Sequence, residues 1–424
     1  MPSRRILLVA QLAPPSPLSA ARRVAGFAKH LGRRGHDVTV LCSNLSGSGP
    51  VDGARRVVRT RDLMTSRFNW RKGQFAALQG TAQGSAPMPS KLEEWVIPDL
   101  AILSWVPFAL PRALGLHRER PFDVVWTSGP PPTTYLVGLA LSRLHGVPWV
   151  ADLRDGWRFE RTRTDFPLAA MRAADAWLER TLLGAADRLT TISRPMAEDA
   201  RERLGVREAH TLSNGFDLEE LALVAGGDGI PDGILTPGRH SLLYTGRIGY
   251  VGRSPEPILA GVRALTRRDP DSAAKLEVLF AGPLRDDERA QIEAPDLAGT
   301  VRALGAFDRE TTMRLQRRAD TLLLLTTGIR GETGQKLYEY LAADRPILVV
   351  GDQTEAARVV TDGQAGIAVP LDDPDAIADG LADLVHGRVR TAADGIARRF
   401  DYAALTDELE AHLEAAISAT TTVR

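Results

Sequence analysis

Short apolar runs alternate with helical patterns along most of the chain. The first repeat of this pattern has an apolar run at residues 5–11, an amphipathic helix around 20–34 that Gly35 closes, and a second apolar run at 37–43. Such a connection is almost always right-handed and joins two parallel strands of one sheet. The alternation therefore predicts an α/β protein built on parallel sheets.

The apolar runs form two sets separated by an irregular stretch. The first set continues at 55–60, 122–128, 148–154, 187–193 and 210–215, and the second comprises 241–246, 276–282, 301–307, 321–327, 346–352 and 366–371. Glycine and proline interrupt residues 226–240 without periodicity, which is typical of a domain boundary. We therefore predict two Rossmann-like, doubly wound domains that face a central cleft, at residues 1–225 and 238–400, and a C-terminal helix at 401–424 that crosses back to the first domain.

Two segments depart from this alternation. Residues 70–90 lose periodicity and gain Gly, Ser, Ala and Pro, which predicts a mobile surface loop. Residues 95–116 are apolar, rich in tryptophan and interrupted by three prolines. They indicate either a buried insertion packed on the first domain or a segment that rests on a membrane surface.

Charge, cysteine content and missing motifs exclude several classes of protein. The chain has 53 basic and 53 acidic residues without a long block of one sign, so nucleic acid is not expected as a partner. The single cysteine, Cys42, can form no disulfide within the chain, which fits a reducing cytoplasm. There is no HExxH, CxxC, GxSxG or P-loop motif, which argues against zinc and serine hydrolases.

The stretch 331–350 carries the clearest candidate chemistry. A polar loop follows an apolar run and leads into a helix, so the backbone amides of Gly334, Gln335 and Lys336 are placed to bind an anion at the carboxyl edge of a sheet. Glu339, one helical turn further on, is placed to accept hydrogen bonds from ligand hydroxyls. Phosphate and sugar together indicate a nucleotide. The alternative is that Lys336 and Glu339 form only the solvated face of an amphipathic helix.

Basic residues in neighbouring loops extend this site. Arg247, Arg253 and Arg330 join Lys336, and two or three such contacts could neutralise a diphosphate without a metal ion. Gly246 permits a close backbone approach beside Arg247.

The corresponding edge of the first domain carries a second polar cluster. Asp152, Arg154 and Asp155 follow a predicted strand. Two interpretations remain open for them: direct contact with a substrate, or a local structural ion pair.

Seven segments spread over nearly the whole chain form an ordered set: PPSPLSAARRVAGFAKHLGRRGHDVTVL, DVVWTSGPPP, VPWVADLRDGW, DRLTTIS, LSNGFDLEEL, SLLYTGRIGYVGRSPEPIL and GQKLYEYLAADRPILVVGD. In their order and spacing they resemble the retaining GT-B glycosyltransferases of family four, the bacterial group 1 transferases. It implies transfer of a hexosyl group from a nucleotide-diphosphate sugar to an acceptor hydroxyl, with retention and without a metal or other cofactor. A UDP-sugar is favoured over a GDP-sugar.

The resemblance also implies roles for individual residues. Arg247, with Arg253 or Lys336, would contact the diphosphate, Glu339 the ribose and Leu304 the base. The full donor-binding set is Gly246, Arg247, Arg253, Leu304, Glu332, Gly334, Gln335, Lys336 and Glu339, and the acceptor-side set is Ser19, Arg22, Ser128, Pro130, Asp152, Arg154 and Asp155. The catalytic candidates are Asp155, Arg247 and Lys336.

Three positions depart from the family pattern. Gly331 stands where a second glutamate is usual, with Glu332 one residue off, and Leu18 and Ser19 replace a glycine pair. Arg154 stands in place of a histidine before Asp155. Two alternative functions therefore stay open: a nucleotide-sugar 2-epimerase, and a non-catalytic subunit that binds a sugar nucleotide.

The expected partners are a nucleotide sugar and an acceptor that is a glycan, a lipid-linked glycan or a small natural product. The richness in arginine and alanine is typical of a GC-rich bacterium. We expect a cytoplasmic protein with peripheral contact to the inner face of the membrane.

Overall fold

The computed structural model describes residues 2–16, 18–63, 94–160, 165–224, 229–248, 252–389 and 396–422. They form two compact units. The first unit runs to Asn214 and resumes at Tyr402, and the second comprises Gly215–Asp401. The loop predicted at 70–90 lies outside the described residues.

The strands of the described chain each overlap an apolar run that the sequence predicted. They are β1 (Arg5–Ala10), β2 (Asp37–Ser43), β3 (Arg56–Thr60), β4 (Val124–Gly129), β5 (Trp149–Leu153), β6 (Arg188–Thr191), β7 (Ala209–Thr211), β8 (His240–Thr245), β9 (Leu276–Ala281), β10 (Val301–Gly305), β11 (Thr321–Leu325), β12 (Ile347–Val350) and β13 (Gly366–Val369).

Helices occupy most of the connections between these strands. They are α1 (Ser19–Arg33), α2 (Ala101–Ser104), α3 (Val106–Glu119), α4 (Tyr135–His145), α5 (Ala169–Gly184), α6 (Arg194–Glu202), α7 (Leu218–Leu223), α8 (Glu256–Arg268), α9 (Pro270–Ala274), α10 (Asp286–Ile292), α11 (Arg309–Arg318), α12 (Gln335–Ala343), α13 (Glu355–Asp362), α14 (Pro374–Val385), α15 (Ile396–Arg399) and α16 (Tyr402–Thr422).

Each unit is built around one parallel sheet. The strand order is β3-β2-β1-β4-β5-β6-β7 in the first unit and β10-β9-β8-β11-β12-β13 in the second. Apolar side chains that alternate along the central strands enter two separate buried clusters in each unit, one on either face of the sheet. The prediction of two doubly wound α/β domains is therefore confirmed.

The C-terminal helix α16 belongs to the first unit, as the sequence predicted. Phe27 of α1 packs against the Tyr402 ring, with centroids 5.3 Å apart. Arg34 donates to Asp407 and Glu410 over 2.6 and 2.7 Å. These contacts fix α16 on α1 through both apolar packing and ion pairs.

The chain leaves the first unit at Asn214, earlier than the predicted boundary at 226–240. The Phe216 amide donates to the Phe400 carbonyl over 3.1 Å, and Phe216 forms a parallel bridge with Asp401. These contacts join residues far apart in sequence and attach the segment after Asn214 to the second unit.

Part of the apolar segment 95–116 is packed into the first unit. Trp105 is fully buried, and Ala109, Ala113 and Leu116 of α3 enter the same cluster. None of the described helices is both long and apolar enough to cross a membrane.

Candidate functional site

Each sheet has an internal point at which the strand order reverses, and ligands of open parallel sheets bind beyond the strand ends there. In the second unit this point lies between β8 and β11. The loop that starts at Gly246 follows β8, and residues 326–334 connect β11 to α12. We call the surface formed by these two loops and the start of α12 the switch-point site.

Glycines allow close approach of backbone and side chains at the switch-point site. Gly246 has a φ of +89°, a region that side chains other than glycine rarely adopt. A Cβ atom added to Gly246 would lie 3.0 Å from Cε of Lys336. A Cβ on Gly282 would lie 2.4 Å from the Gly246 carbonyl oxygen. The loop after β8 is therefore packed against both its neighbouring strand and the Lys336 side chain.

The ammonium group of Lys336 packs against this loop. Its Nζ donates to the Arg247 carbonyl over 3.0 Å and to the Tyr244 hydroxyl, and it lies 3.9 Å from the Tyr244 ring centroid. Burial lowers the pKa of Lys336 well below its usual range, and the charge of Arg253 acts in the same direction. Among the described residues no carboxylate forms an ion pair with Lys336. A bound anion would supply the charge that its neutral partners do not.

Arg253 is held at the same place by an acidic partner. Its Nε donates to Glu332 Oε1 over 2.9 Å, while the amide and hydroxyl of Thr327 donate to Glu332 Oε2 over 2.7 and 2.8 Å. A Cβ on Gly334 would lie 3.3 Å from an Arg253 terminal nitrogen. Glu332 therefore positions Arg253 beside the start of α12.

The N-terminus of α12 has no side-chain cap. Gly334 occupies the N-cap position, and no acidic residue lies in the first turn. Thr333 Oγ1 and Gln335 Oε1 are buried without a hydrogen-bond partner, whereas the side-chain nitrogen Nε2 of Gln335 donates to the Gly215 carbonyl over 2.6 Å. The uncompensated positive end of a helix favours an anion.

Glu339 lies on the same helix, one turn from its start. Arg309 NH1 donates to Glu339 Oε1 over 3.3 Å, and Arg309 NH2 donates to Glu220 Oε2 over 2.7 Å. The Glu339 side chain is partly buried and keeps 18% of its surface exposed. Leu304, near the end of β10, is partly buried against the adjacent apolar cluster. Glu339 can thus accept hydrogen bonds from hydroxyl groups while a phosphate occupies the helix end.

The first unit holds a different kind of cluster at its strand edge. Arg23 and Asp152 are fully buried and form a bidentate ion pair, with nitrogen to oxygen distances of 2.9 and 2.7 Å. Asp152 also accepts from the Ser128 and Thr190 hydroxyls, each over 2.8 Å. The remaining Arg23 donors reach oxygens of residues 212–214. Asp152 is therefore part of a structural ion pair, but its partner is Arg23 of α1 and not Arg154, so the local ion pair considered from the sequence is not the one that forms.

The other acceptor-side candidates are spread over this edge. Asp155, Pro130 and Ser19 are exposed, and Arg22 is half-buried. Arg154 is buried; its backbone amide donates to the Gly129 carbonyl over 3.0 Å and its guanidinium to the Pro130 carbonyl over 3.3 Å.

Sequence reasoning missed Arg23 although its helical phase indicated it. Arg23 lies four residues before Phe27, on the face that carries Val24 and Leu31, whereas the named Arg22 lies beside that face. Arg309 and Tyr244 were missed too. They reach the site through long-range contacts, for which the local pattern contains no signal.

The sequence matches known protein families over most of its length. Residues 20–215 match the glycosyl transferase 4-like domain, and residues 239–386 match the glycosyl transferases group 1 family. The chain belongs to the group 1 glycosyltransferases. This membership confirms the resemblance drawn from the sequence motifs. The second matched region contains every residue of the switch-point site.

Curated relatives of this glycosyltransferase share part of their length with it. The phosphatidyl-myo-inositol mannosyltransferase of Mycolicibacterium smegmatis is 32% identical over 215 residues, which cover 49% of this chain and 52% of that protein. The enzyme of that name from Mycobacterium tuberculosis H37Rv is 30% identical over 218 residues, or 49% and 54% of the two chains. The chain thus spans about half the length of the curated relatives it matches.

Solved structures resemble the glycosyltransferase over nearly all of its length. Anabaena HepE in complex with UDP gives a TM-score of 0.60 at 16% identity and covers 97% of this chain and 100% of that one. Sucrose-phosphate synthase from Thermosynechococcus elongatus gives 0.61 at 16% identity, with 98% and 100% covered. At such identities the likeness shows the fold alone, and it confirms the predicted GT-B class.

Proposed function

We propose that this glycosyltransferase moves a hexosyl group from a nucleotide-diphosphate sugar to an acceptor hydroxyl. The observation that carries the proposal is the arrangement on α12. Lys336 and Arg253 lie at its uncapped N-terminus, and Glu339 lies one turn along the same helix. A diphosphate at the helix end and a ribose at Glu339 fit this spacing.

The proposed chemistry is stabilisation of the leaving diphosphate. Arg247, Arg253, Lys336 and the amides at the α12 N-terminus would bear the charge that develops as the bond to the sugar breaks. One well-placed donor of this kind contributes roughly 3 kcal/mol. The acceptor hydroxyl attacks from the same face and gives its proton to the departing diphosphate, so that the anomeric configuration is retained, and exposed Asp155 orients it. These cationic groups supply the charge that a metal ion would otherwise provide.

The sugar and the acceptor are proposed from the relatives. Two curated relatives are named phosphatidyl-myo-inositol mannosyltransferases. We therefore place mannose first among the sugars to test, and an inositol-bearing lipid among the acceptors. UDP remains the first nucleotide to test, and the fold neighbour HepE was solved with it.

We also propose that the protein works in the cytoplasm against the inner face of a membrane. Trp95 and Leu103, from the apolar segment, are 56% and 60% exposed. Exposed apolar side chains of this size are suited to the interfacial layer of a bilayer.

An assay of sugar transfer tests the proposal. The protein is incubated with UDP- and GDP-linked glucose and mannose, with phosphatidylinositol vesicles or a soluble sugar acceptor, in excess EDTA. We expect release of one nucleotide only when an acceptor is present, and a product whose one-bond C1–H1 coupling shows the anomeric configuration of the donor sugar. Lys336→Met is the control that loses turnover.

Three outcomes would overturn parts of the proposal. Conversion of one nucleotide sugar into another without an acceptor would establish the epimerase instead. Tight nucleotide binding without turnover across all acceptors would favour a binding subunit, an alternative that Gly331 keeps open. Loss of activity in EDTA that Mg²⁺ restores would contradict the metal-free mechanism.

A further inference from the structure

Arg154 is a buried cation whose partners do not match its charge. It is 7% exposed, yet its guanidinium makes a single hydrogen bond, 3.3 Å long, to the Pro130 carbonyl. No carboxylate of the described chain forms an ion pair with it. Asp155, the next residue, is exposed and forms no ion pair with Arg154. The Asp152 carboxylate is already ion-paired with Arg23.

Arg23, another buried arginine of the same unit, has a hydrogen-bond partner for each of its donors. Arg23 directs its five N–H donors at one carboxylate and three further oxygens. Burying an ion without such partners is destabilising. A neutral glutamine could donate the same hydrogen bond to Pro130, so support of that loop does not explain a charged group at position 154.

Two buried hydroxyls in the segments that follow the neighbouring strands also lack partners. Thr134 follows β4, Ser193 follows β6, and Arg154 follows β5 between them. Both hydroxyl oxygens are buried without a hydrogen-bond partner. Buried polar groups in native proteins are nearly always satisfied, and exceptions mark sites that a ligand or water completes. The Arg154 nitrogens that make no hydrogen bond keep some accessible surface, so a ligand can reach them.

We propose that Arg154 binds an oxyanion, a carboxylate or phosphate group of a substrate, at the carboxyl edge of the first unit. The inference rests on the proposed function and deepens it, because it requires one substrate to carry a negative charge beyond the nucleotide diphosphate. A planar guanidinium suits both groups through paired N–H donors. The charge belongs either to an acceptor phosphate or to a uronic acid on the donor.

The binding test uses inorganic phosphate as the probe. The Nε–Hε resonance of Arg154, assigned as the signal lost in Arg154→Gln, is followed by NMR as phosphate is added. We expect a saturable shift of this resonance that Arg154→Gln removes. Arg158→Gln is the matched control, because Arg158 already faces Asp175 at 3.5 Å and its loss should leave the titration unchanged. A resonance that moves no more than those of exposed arginines overturns the proposal.

Two substrate pairs identify the source of the charge. UDP-glucuronate is compared with UDP-glucose, and glucose 6-phosphate with glucose in the presence of saturating UDP. We expect wild type to bind the charged member of one pair about 10- to 100-fold more tightly, Arg154→Lys to keep part of the preference, and Arg154→Gln to lose it. A preference in Arg154→Gln equal to that of wild type contradicts the proposal.

The controls separate this inference from the proposed function. UDP alone should bind Arg154→Gln as it binds wild type, because its proposed contacts lie in the second unit. If UDP binds neither protein while phosphate still shifts Arg154, the nucleotide site fails and the anion site stands. If UDP binds both and phosphate does not shift Arg154, the anion site alone fails.

Discussion

Near their strand edges, the two units hold cations in opposite situations. Arg23 in the first unit is fully buried, and a carboxylate and carbonyl oxygens satisfy its donors. Lys336 in the second unit meets only neutral oxygens, and burial lowers its pKa. A compensated ion pair holds a fold together, whereas an uncompensated cation costs stability until an anion arrives. The comparison separates a structural cluster from a binding site.

The largest effect is expected from breaking the compensated pair. Arg23→Met leaves Asp152 buried and charged without its partner, and removing one member of a buried pair costs about 3–5 kcal/mol. We expect calorimetry to show the first unit unfolding at a much lower temperature.

The double variant Arg23→Met, Asp152→Leu removes both charges and should recover part of that loss, because neutral replacement of a buried pair is often tolerated. A single variant that unfolds like wild type would show that the pair is not a structural element.

A smaller effect is expected from acid acting on the first unit. Burial lowers the pKa of His412 from 6.5 to about 4, assisted by His210 and Arg188. The unfolded chain binds this proton more readily, so the stability that neutral His412 contributes is present above pH 6.5 and is lost as the pH falls towards 4. The loss amounts to at most about 3 kcal/mol.

Urea unfolding of wild type and His412→Leu between pH 7 and pH 4 measures this contribution as a difference between two curves. The wild-type curve should fall more steeply. Parallel curves would rule out His412 as the acid-sensitive group.

Removal of the uncompensated cation should act on binding and leave the fold intact. Lys336→Met deletes a charge-assisted contact worth about 1.5–3 kcal/mol, so the dissociation constant for the diphosphate should rise about 10- to 150-fold. The free protein should be as stable as wild type or more stable, since a buried ammonium group is lost. Calorimetric titration measures the dissociation constant, and a melting curve measures the stability of the free protein. If Lys336→Met lowers the stability of the free protein, Lys336 has a structural role like that of Arg23.

The smallest effect concerns the glycine beside Lys336. Gly246→Ala and Gly252→Ala place alanine at φ values of +89° and +84°, which strains both by about 1 kcal/mol. Only the Gly246 Cβ would meet Lys336, since a Cβ on Gly252 has no atom within 4 Å. We expect both variants to lose similar stability and only Gly246→Ala to bind nucleotide several-fold more weakly. Equal binding would remove this loop from the site.

The fold could be predicted because buried parallel strands produce short apolar runs. The run at 37–43 coincides with β2, and the helix predicted at 20–34 is α1 within one residue at each end. The domain boundary could not be located in this way. It depends on Phe216 joining Phe400 and Asp401, a pairing that leaves no local pattern.

The position of the candidate site could also be predicted from the apolar runs, because its loops begin where strands end. Its loops follow strands and could be found by position, but the partners of each charge could not. Glu332 pairs with Arg253 across 79 positions, and Arg309 reaches Glu220 across 89. In the first unit, helical phase distinguishes buried Arg23 from half-buried Arg22, a difference that a loop-by-loop motif comparison overlooks.

The central claim is that the switch-point site binds a nucleoside diphosphate through the start of α12 and Glu339. A thermal-shift panel of UDP, GDP, TDP, ADP and CDP tests it most directly, with wild type, Glu339→Ala and the exposed control Glu310→Ala. A ligand at about 100 times its dissociation constant stabilises the fold by roughly 2.7 kcal/mol. The account predicts that one nucleotide raises the melting temperature of wild type and Glu310→Ala, and that Glu339→Ala abolishes the rise. No rise with any nucleotide, or an equal rise in all three proteins, would contradict it.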